Sequence, residues 1–498
     1  MIPEATLVAI LIIVFFADFA LAKNERRNKV LYGLTATLLL LQIVPCALST
    51  HTVAFGGLYV TTHLVNVMKT ILTAGTLIVV IMAQPWLEAS LDGKTGSNSF
   101  GAGRYAGEFY MLVISTLLGM YMMISSGNFL MFFLGLETAS VPMACLVAFD
   151  RLKRESAEGA AKYILTATFS SGVMLYGISF IYGACGTLYF DDLVRALNSR
   201  MGFGFDAIAM PVMGLVFFFS GLGFKLSLVP FHFWTADTYQ GAPTPVTGYL
   251  SVISKGAAAL ALCTILSKTF APLVEYWEML LAVVIVLTIT VGNLFAIRQN
   301  ELKRFMAFSS ISQAGYIMLA VMGNSDLGST ALTYYVLVYV VANLAVFTVI
   351  NVVEQTNVQH PNPTLNVQRS MFDVYNGFYE TNPNLSFLMT LALFSLAGIP
   401  PFAGMFSKFF VFMAAAGEGS FIAYFVVFIA LINTVVSLYY YLLIVKAMYI
   451  KKTATPLPTF RSDCNTKLAL ALCTAGIVAF GIFSCVYEWI ATAAMQYN

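Results

Sequence analysis

The chain has 498 residues, 59% of them hydrophobic and only 10% charged, with a mean hydropathy of +0.82. A soluble domain carries about 25% charged residues, so 26 basic and 24 acidic side chains cannot give 54.3 kDa a water-facing surface. That excludes a soluble enzyme and a disordered chain, and the net charge of +2 leaves no basic patch for a nucleic-acid partner, so a polytopic membrane protein in a lipid bilayer remains.

Apolar runs of about 18 residues or more mark membrane spans. They fall at 5–22, 29–48, 63–83, 108–126, 128–149, 160–184, 207–236, 242–268, 272–296, 305–323, 329–354, 385–416, 419–448 and 466–492. The prediction is an all-α polytopic fold of fourteen transmembrane helices, called spans 1–14 below. Span 1 ends in Ala20-Leu21-Ala22-Lys23, which looks like a signal-peptidase site. Glu4 stands where a basic leader would begin, so the run reads as a retained helix. Spans 4 and 5 are separated only by Ser125-Ser126-Gly127-Asn128, a turn signal. The loop at 84–107 contains Gly93-Lys94-Thr95-Gly96-Ser97 and reads as flexible. The loop at 355–384 carries His360-Pro361-Asn362-Pro363 and is expected to lie over helix ends. Six of the seven cysteines lie in apolar stretches and Cys464 in a loop. No CxxC pair or His/Cys cluster encodes zinc or an iron–sulfur site.

Loop charges set the orientation. Loops after odd-numbered spans hold 18 of the 26 Lys and Arg residues, and loops after even-numbered spans hold only Arg195, Arg200 and Lys268. One miscounted span early in the chain would invert every later loop, so the asymmetry supports both the count and the topology. Both termini are expected on the non-cytoplasmic side. The remaining five lysines, Lys69, Lys162, Lys225, Lys255 and Lys408, fall within spans.

A charge at the bilayer centre costs at least about 2.5–3.5 kcal/mol, so such residues need partners or water. Lys225 lies in Gly221-Leu222-Gly223-Phe224-Lys225-Leu226-Ser227-Leu228-Val229-Pro230 of span 7, where Pro230 should break the helix and free carbonyls. Span 12 repeats the device in Leu396-Ala397-Gly398-Ile399-Pro400-Pro401, with Lys408 one to two turns later. Spans 7 and 12 are five apart. Spans 4–8 and 9–13 therefore read as two inverted five-helix repeats with broken helices at matching positions. The implied division is 1–107 (three helices and a loop), 108–268 (first repeat), 269–448 (second repeat) and 449–498 (loop and last helix).

Glu137, mid-span in span 5, is the acidic counterpart and Lys225 its expected partner. A carboxylate and an ammonium buried together can hold a proton loosely. The competing reading is a static ion pair that fixes helix packing. Lys255 sits mid-span in span 8. His232 follows the span 7 break and could relay a proton. Glu158 and Lys162 are spaced i,i+4 and should pair on one face. Lys69 and Asp18 read as snorkelling or locally paired. No Walker A motif is present, and four histidines are too scattered for bis-haem ligation. Ion movement driven from elsewhere is the implied activity.

The run Gly221, Phe224-Lys225-Leu226-Ser227-Leu228-Val229-Pro230-Phe231-His232-Phe233-Trp234-Thr235-Ala236-Asp237 and Gly241-Ala242-Pro243-Thr244-Pro245-Val246 resembles the proton-pumping antiporter-like subunits of respiratory complex I. So do Gly135-Leu136-Glu137, Lys162-Tyr163, Asn293 to Gln299, Lys303 to Ile311, Ser395 to Pro401 and Tyr439-Tyr440-Tyr441. The resemblance covers nearly the whole chain. It implies proton translocation through Glu137, Lys225, Lys255 and Lys408, with His232, Lys162 and Glu158 as relay candidates. Subunit M typically has glutamate where Lys408 stands, and subunit L adds a lateral helix beyond span 14. The usual acidic residue near Thr62-His63 is missing, and 365–381 departs from the family pattern. The resemblance also implies an enzyme complex with NADH, FMN, iron–sulfur clusters and quinone on partner subunits, and no cofactor on this chain. Expected partners are subunit M, small membrane subunits of the J/K/A type and lipid, with no nucleic acid. The bacterial inner membrane is the expected location. A Na⁺/H⁺ antiporter subunit, or a membrane hydrogenase relative, is the same-fold alternative, and a structural scaffold is another.

Overall fold

The computed structural model describes residues 1–24, 26–89, 102–151, 153–323, 326–359, 372–453, 457–460 and 463–495. The expectations for 93–97 and 360–363 lie outside these residues, as does 365–371 of the 365–381 stretch. The chain opens with α1 (Ile2–Ala20) and α2 (Arg27–Leu48), then a small antiparallel hairpin of β1 (Thr52–Ala54) and β2 (Tyr59–Thr61). It continues with α3 (His63–Ala89), α4 (Ala106–Ile124), α5 (Phe129–Val147) and α6 (Arg154–Cys185). Next come α7 (Phe190–Met201), α8 (Phe205–Leu226), α9 (Phe233–Gly241) and α10 (Thr244–Thr269). The rest is α11 (Val274–Ile297), α12 (Leu302–Met322), α13 (Asp326–Gln359), α14 (Pro383–Ala397), α15 (Ala403–Ala416), α16 (Phe421–Tyr449), α17 (Cys464–Ile482) and α18 (Cys485–Met495).

Among the described residues, thirteen helices are long and apolar enough to cross a membrane. The remaining crossing is span 12, whose halves α14 and α15 are each too short alone. The protein is therefore an all-α, multi-pass membrane protein. The layers follow from what each helix buries: α3, α10, α12 and α13 are buried almost throughout, whereas α1, α2, α6, α16 and α17 present apolar faces outward. Outward-facing Phe, Leu and Val are the expected surface where hydrocarbon is the solvent.

Small residues set the tightest packing. A Cβ on Gly119 would lie 2.3 Å from the Ala139 nitrogen, and one on Gly135 would lie 2.5 Å from the Met123 nitrogen. The α4 and α5 backbones therefore touch, the device expected where lipid supplies no hydrophobic drive between helices. The turn between them forms as predicted, with Asn128 Oδ1 accepting from Leu130 N at 2.7 Å as an N-cap.

Three features depart from the sequence reading. The segment after span 6 contains the amphipathic helix α7, which buries Leu193 and Leu197. The span 2–3 connection is a hairpin. The run at 466–492 is not one helix: α17 ends at Ile482, and α18 starts afresh at Cys485 after extended backbone at Phe483.

Candidate functional site

The first helix break forms where proline demands it. The Leu226 carbonyl would bond to the nitrogen of residue 230, and Pro230 has no N–H. Ser227 takes a left-handed conformation (φ 62°) and α8 stops. Trp234 Nε1 donates to the Phe224 carbonyl at 3.0 Å and ties α9 back to α8. Lys225 is buried in the last turn of α8. Its Nζ donates to Ser140 Oγ at 2.8 Å and Tyr163 OH at 3.2 Å, and lies 5.9 Å from the centre of the Tyr163 ring.

Glu137 is not in direct contact with Lys225. It is only half-buried, on the side of α5 facing α6, where it accepts a hydrogen bond from Ser171 Oγ. Ser140, three residues on and rotated by about 60° around the helix, is the α5 residue that meets Lys225. His232 lies in the break, buried, with its ring 4.5 Å from that of Phe233. Its Nδ1 has no hydrogen-bond partner among the described residues.

Lys255 follows a π-helical turn at Leu250–Ser254 within α10, a distortion that recurs at functional sites. Its Nζ donates to Ser310 Oγ at 2.8 Å and lies 5.5 Å from the centre of the Tyr239 ring. Ser310 Oγ is 3.3 Å from Tyr239 OH, and Asn343 Nδ2 donates to Ser251 Oγ at 2.8 Å.

The second break frees two carbonyls, because neither Pro400 nor Pro401 can bond back to Leu396 or Ala397. Both carbonyls are taken by polar side chains. Lys408 Nζ donates to the Ala397 carbonyl at 2.9 Å, and Gln313 Nε2 to the Leu396 carbonyl at 3.3 Å. Lys408 is buried, 5.0 Å from the centre of the Tyr316 ring. Gln313 also bonds Tyr441 at 3.3 Å and accepts from Tyr335, while Tyr441 meets Ser309 at 2.5 Å. A cavity of about 10 Å³, room for roughly one water, is lined by Gln313, Tyr335, Ser395, Ser407 and Lys408.

Lys162 pairs with Glu158 at 2.7 Å, as the i,i+4 spacing predicts. It also reaches Asp237 on α9 at 2.6 Å, and Arg304 of α12 meets the other Asp237 oxygen at 2.6 Å. Asp237 thus joins three helices, a role its position in the sequence did not signal. Nearby, Lys303 donates to the Ala242 carbonyl at 2.8 Å and lies 3.6 Å from Glu354. Asp18 pairs with Arg27 at 2.6 Å. Lys69 does not snorkel: it is fully buried and paired with Glu4, 65 residues away, at 2.5 Å. Among the described residues, no three His, Cys, Asp or Glu side chains are placed to share a metal ion.

Among the described residues five lysines, Lys69, Lys225, Lys255, Lys303 and Lys408, are buried within apolar helices, and Lys225 and Lys408 flank the helix breaks, so the fold is that of a multi-pass membrane protein that holds charge in its interior. The family profile described as NADH:quinone oxidoreductase/Mrp antiporter, transmembrane, matches residues 126–437, and the chain belongs to this family. Within it the chain groups with the subunit N branch. It is 53% identical to "NADH-quinone oxidoreductase subunit N" of Phocaeicola vulgatus, covering 99% of this chain and 98% of that protein. It is 47% identical to the protein of the same name from Azobacteroides pseudotrichonymphae, covering 98% and 96%. Among solved structures it matches a chain of Thermus thermophilus respiratory complex I at TM-score 0.75 and 29% identity, covering 96% and 97%. A chain of the Mrp complex from a Dietzia species, at TM-score 0.79 and 19% identity with 99% and 97% covered, shows the fold alone.

Proposed function

We propose that this chain is a proton-translocating membrane-arm subunit of an NADH:quinone oxidoreductase. The observation that carries the reading is the line of buried lysines bonded to neutral oxygens: Lys225 on Ser140 and Tyr163, Lys255 on Ser310, and Lys408 on the Ala397 carbonyl. None of these three ammonium groups has a carboxylate in direct contact, and a buried charge so placed is only partly compensated. Tyr163, Tyr239, Ser310, Gln313 and Tyr441 supply hydroxyls and an amide between the three lysines, with bound water completing the connections.

Glu137 supplies the coupling. Held by Ser171, it leaves Lys225 without a carboxylate partner. Swung past Ser140, it would pair with Lys225 and hold the proton there. Electron transfer on partner subunits, which carry the NADH, FMN, iron–sulfur and quinone chemistry, would drive that alternation and push the proton by Lys255 toward Lys408. Lys162, Glu158 and His232 are relay candidates at the near end of the path. In this reading the two broken helices belong to inverted repeats at 108–268 and 269–448, flanked by 1–107 and 449–498. The complex sits in the bacterial inner membrane with both termini on the non-cytoplasmic side. An M-type subunit and J/K/A-type small subunits border this chain.

The test is Lys225→Met in the assembled complex, reconstituted in vesicles. Pumping per NADH should fall, with uncoupled NADH oxidation retained. Unchanged pumping in an assembled complex refutes the assignment. Replacing sodium by potassium should leave wild-type pumping intact, whereas a requirement for sodium favours the cation-antiporter alternative.

A further inference from the structure

A buried lysine outside this path shares some of the surroundings of the three lysines on it. Lys69, in the second turn of α3, is 0% exposed. Its Nζ donates to Glu4 Oε1 at 2.5 Å, Tyr59 OH at 3.2 Å and Thr61 Oγ1 at 3.4 Å. It lies 5.4 and 5.6 Å from the centres of the Tyr59 and Tyr121 rings. A lysine beside a tyrosine ring and bonded to neutral oxygen is also what surrounds Lys225, Lys255 and Lys408. Lys69 differs in having a carboxylate within reach and a route to the surface.

We propose that Glu4 and Lys69 form a second proton-exchange site, placed in the N-terminal helices and joined by hydroxyl groups to the Lys255 region. The proposal rests on the proton-translocating reading above. Two independent features of the geometry support it.

The first is a ladder of hydroxyls running inward. Thr73, one turn beyond Lys69, hydrogen-bonds Tyr121 OH, which lies 3.2 Å from the Lys69 carbonyl. Thr76, almost a turn further along α3, is the next buried hydroxyl, and the Tyr249 hydroxyl of α10 meets Thr116 at 2.7 Å. Tyr249 lies just before Ser251 on α10. The Ser251 carbonyl accepts from Ser310 Oγ at 3.5 Å, and Ser310 is the partner of Lys255. The second feature is access. Glu4 is 13% exposed, and Thr61 bonds Asn66 at 2.9 Å at the wall of a cavity of about 200 Å³. That cavity is lined by Ser49, His63, Asn66, Trp489 and Thr492.

The step conserves charge. An N–H bond of the Lys69 ammonium breaks and an O–H bond forms at Glu4 Oε1, leaving a neutral amine and a neutral acid. The acid releases its proton to water at its exposed edge. The amine is reprotonated from the Tyr121 side through water and hydroxyls, and no oxidant or reductant is needed. The titratable groups facing the pair are the amino terminus, 3.7 Å from Glu4, Cys46 of α2, Tyr59 of β2 and Tyr121 of α4, with His63 on α3 itself.

Lys69→Arg discriminates exchange from a static pin. Arginine keeps the charge and the pairing but does not release its proton. The complex, assembled in vesicles, is assayed for protons pumped per NADH alongside Lys225→Met. A lowered ratio in assembled Lys69→Arg, with uncoupled NADH oxidation retained, is the expected result. An unchanged ratio overturns the proposal. If Lys69→Arg does not assemble, the charge-free double variant Glu4→Gln/Lys69→Met decides by the same ratio. Loss of assembly in both marks the pair as a structural pin and overturns the proposal as well. Because Lys225→Met is read in parallel, unchanged pumping there shows that the underlying reading has failed instead.

Discussion

Residue by residue, the buried lysines were visible in the sequence and their partners were not. Lys225, Lys255 and Lys408 stand out because charge is scarce and each interrupts an apolar run. Their bonds depend on rotation around neighbouring helices, which linear spacing does not disclose. Glu137 was expected on Lys225, yet Ser140 occupies that position and Glu137 lies against Ser171. Lys69 and Glu4 meet across 65 residues, beyond any local pattern. Asp237 shows the same limit: its partners Lys162 and Arg304 come from α6 and α12. All three side chains are partly solvated, so the network should contribute modestly and be screened by salt. Asp237→Asn should cost about 1 kcal/mol or less, read as a lower melting temperature at low ionic strength. The difference should shrink in high salt, and a salt-independent loss would indicate a role beyond charge pairing.

At the scale of elements, spans and breaks were legible because proline chemistry and hydrocarbon thickness leave few options. The missing N–H of Pro230, Pro400 and Pro401 predicts carbonyls left open at 226, 396 and 397, and two of these are where Gln313 and Lys408 bind. The helix α7 went unread because an apolar-run criterion passes over a short amphipathic segment. The spacing of Leu193 and Leu197 among Asp191, Asp192 and Arg195 carries the signal that was available. The second break depends on close contact: a Cβ on Gly404 would lie 1.6 Å from the Ser395 carbonyl oxygen. Gly404→Ala should therefore push α15 away from α14 and destabilise the chain by at least about 1–3 kcal/mol, the usual cost of overpacking. Reduced recovery of the assembled complex would show this, whereas normal recovery with intact pumping would mean that the half-helices can separate without cost.

For the whole molecule, the charge asymmetry predicts which face is which, and native cysteines can report it. Cys464 and Cys485 are both exposed, and α17 separates them. A membrane-impermeant maleimide should label Cys464 only from the cytoplasmic side and Cys485 only from the opposite side. Labelling with the sides exchanged would invert the topology. Labelling of both from one side would mean that α17 does not cross. The path proposed here runs across the molecule, from Lys225 beside α5 to Lys408 at the second break, with Lys255 between them. Ionisable residues inside a membrane protein commonly mark ion pathways and proton relays.

Lys255 is therefore the central residue of the proposed path. The decisive measurement is the number of protons pumped per NADH by vesicles containing the assembled complex with Lys255→Met, beside wild type. A lowered ratio with uncoupled NADH oxidation preserved is the expected result. A ratio equal to wild type in a fully assembled complex would show that protons do not pass through the centre of this chain.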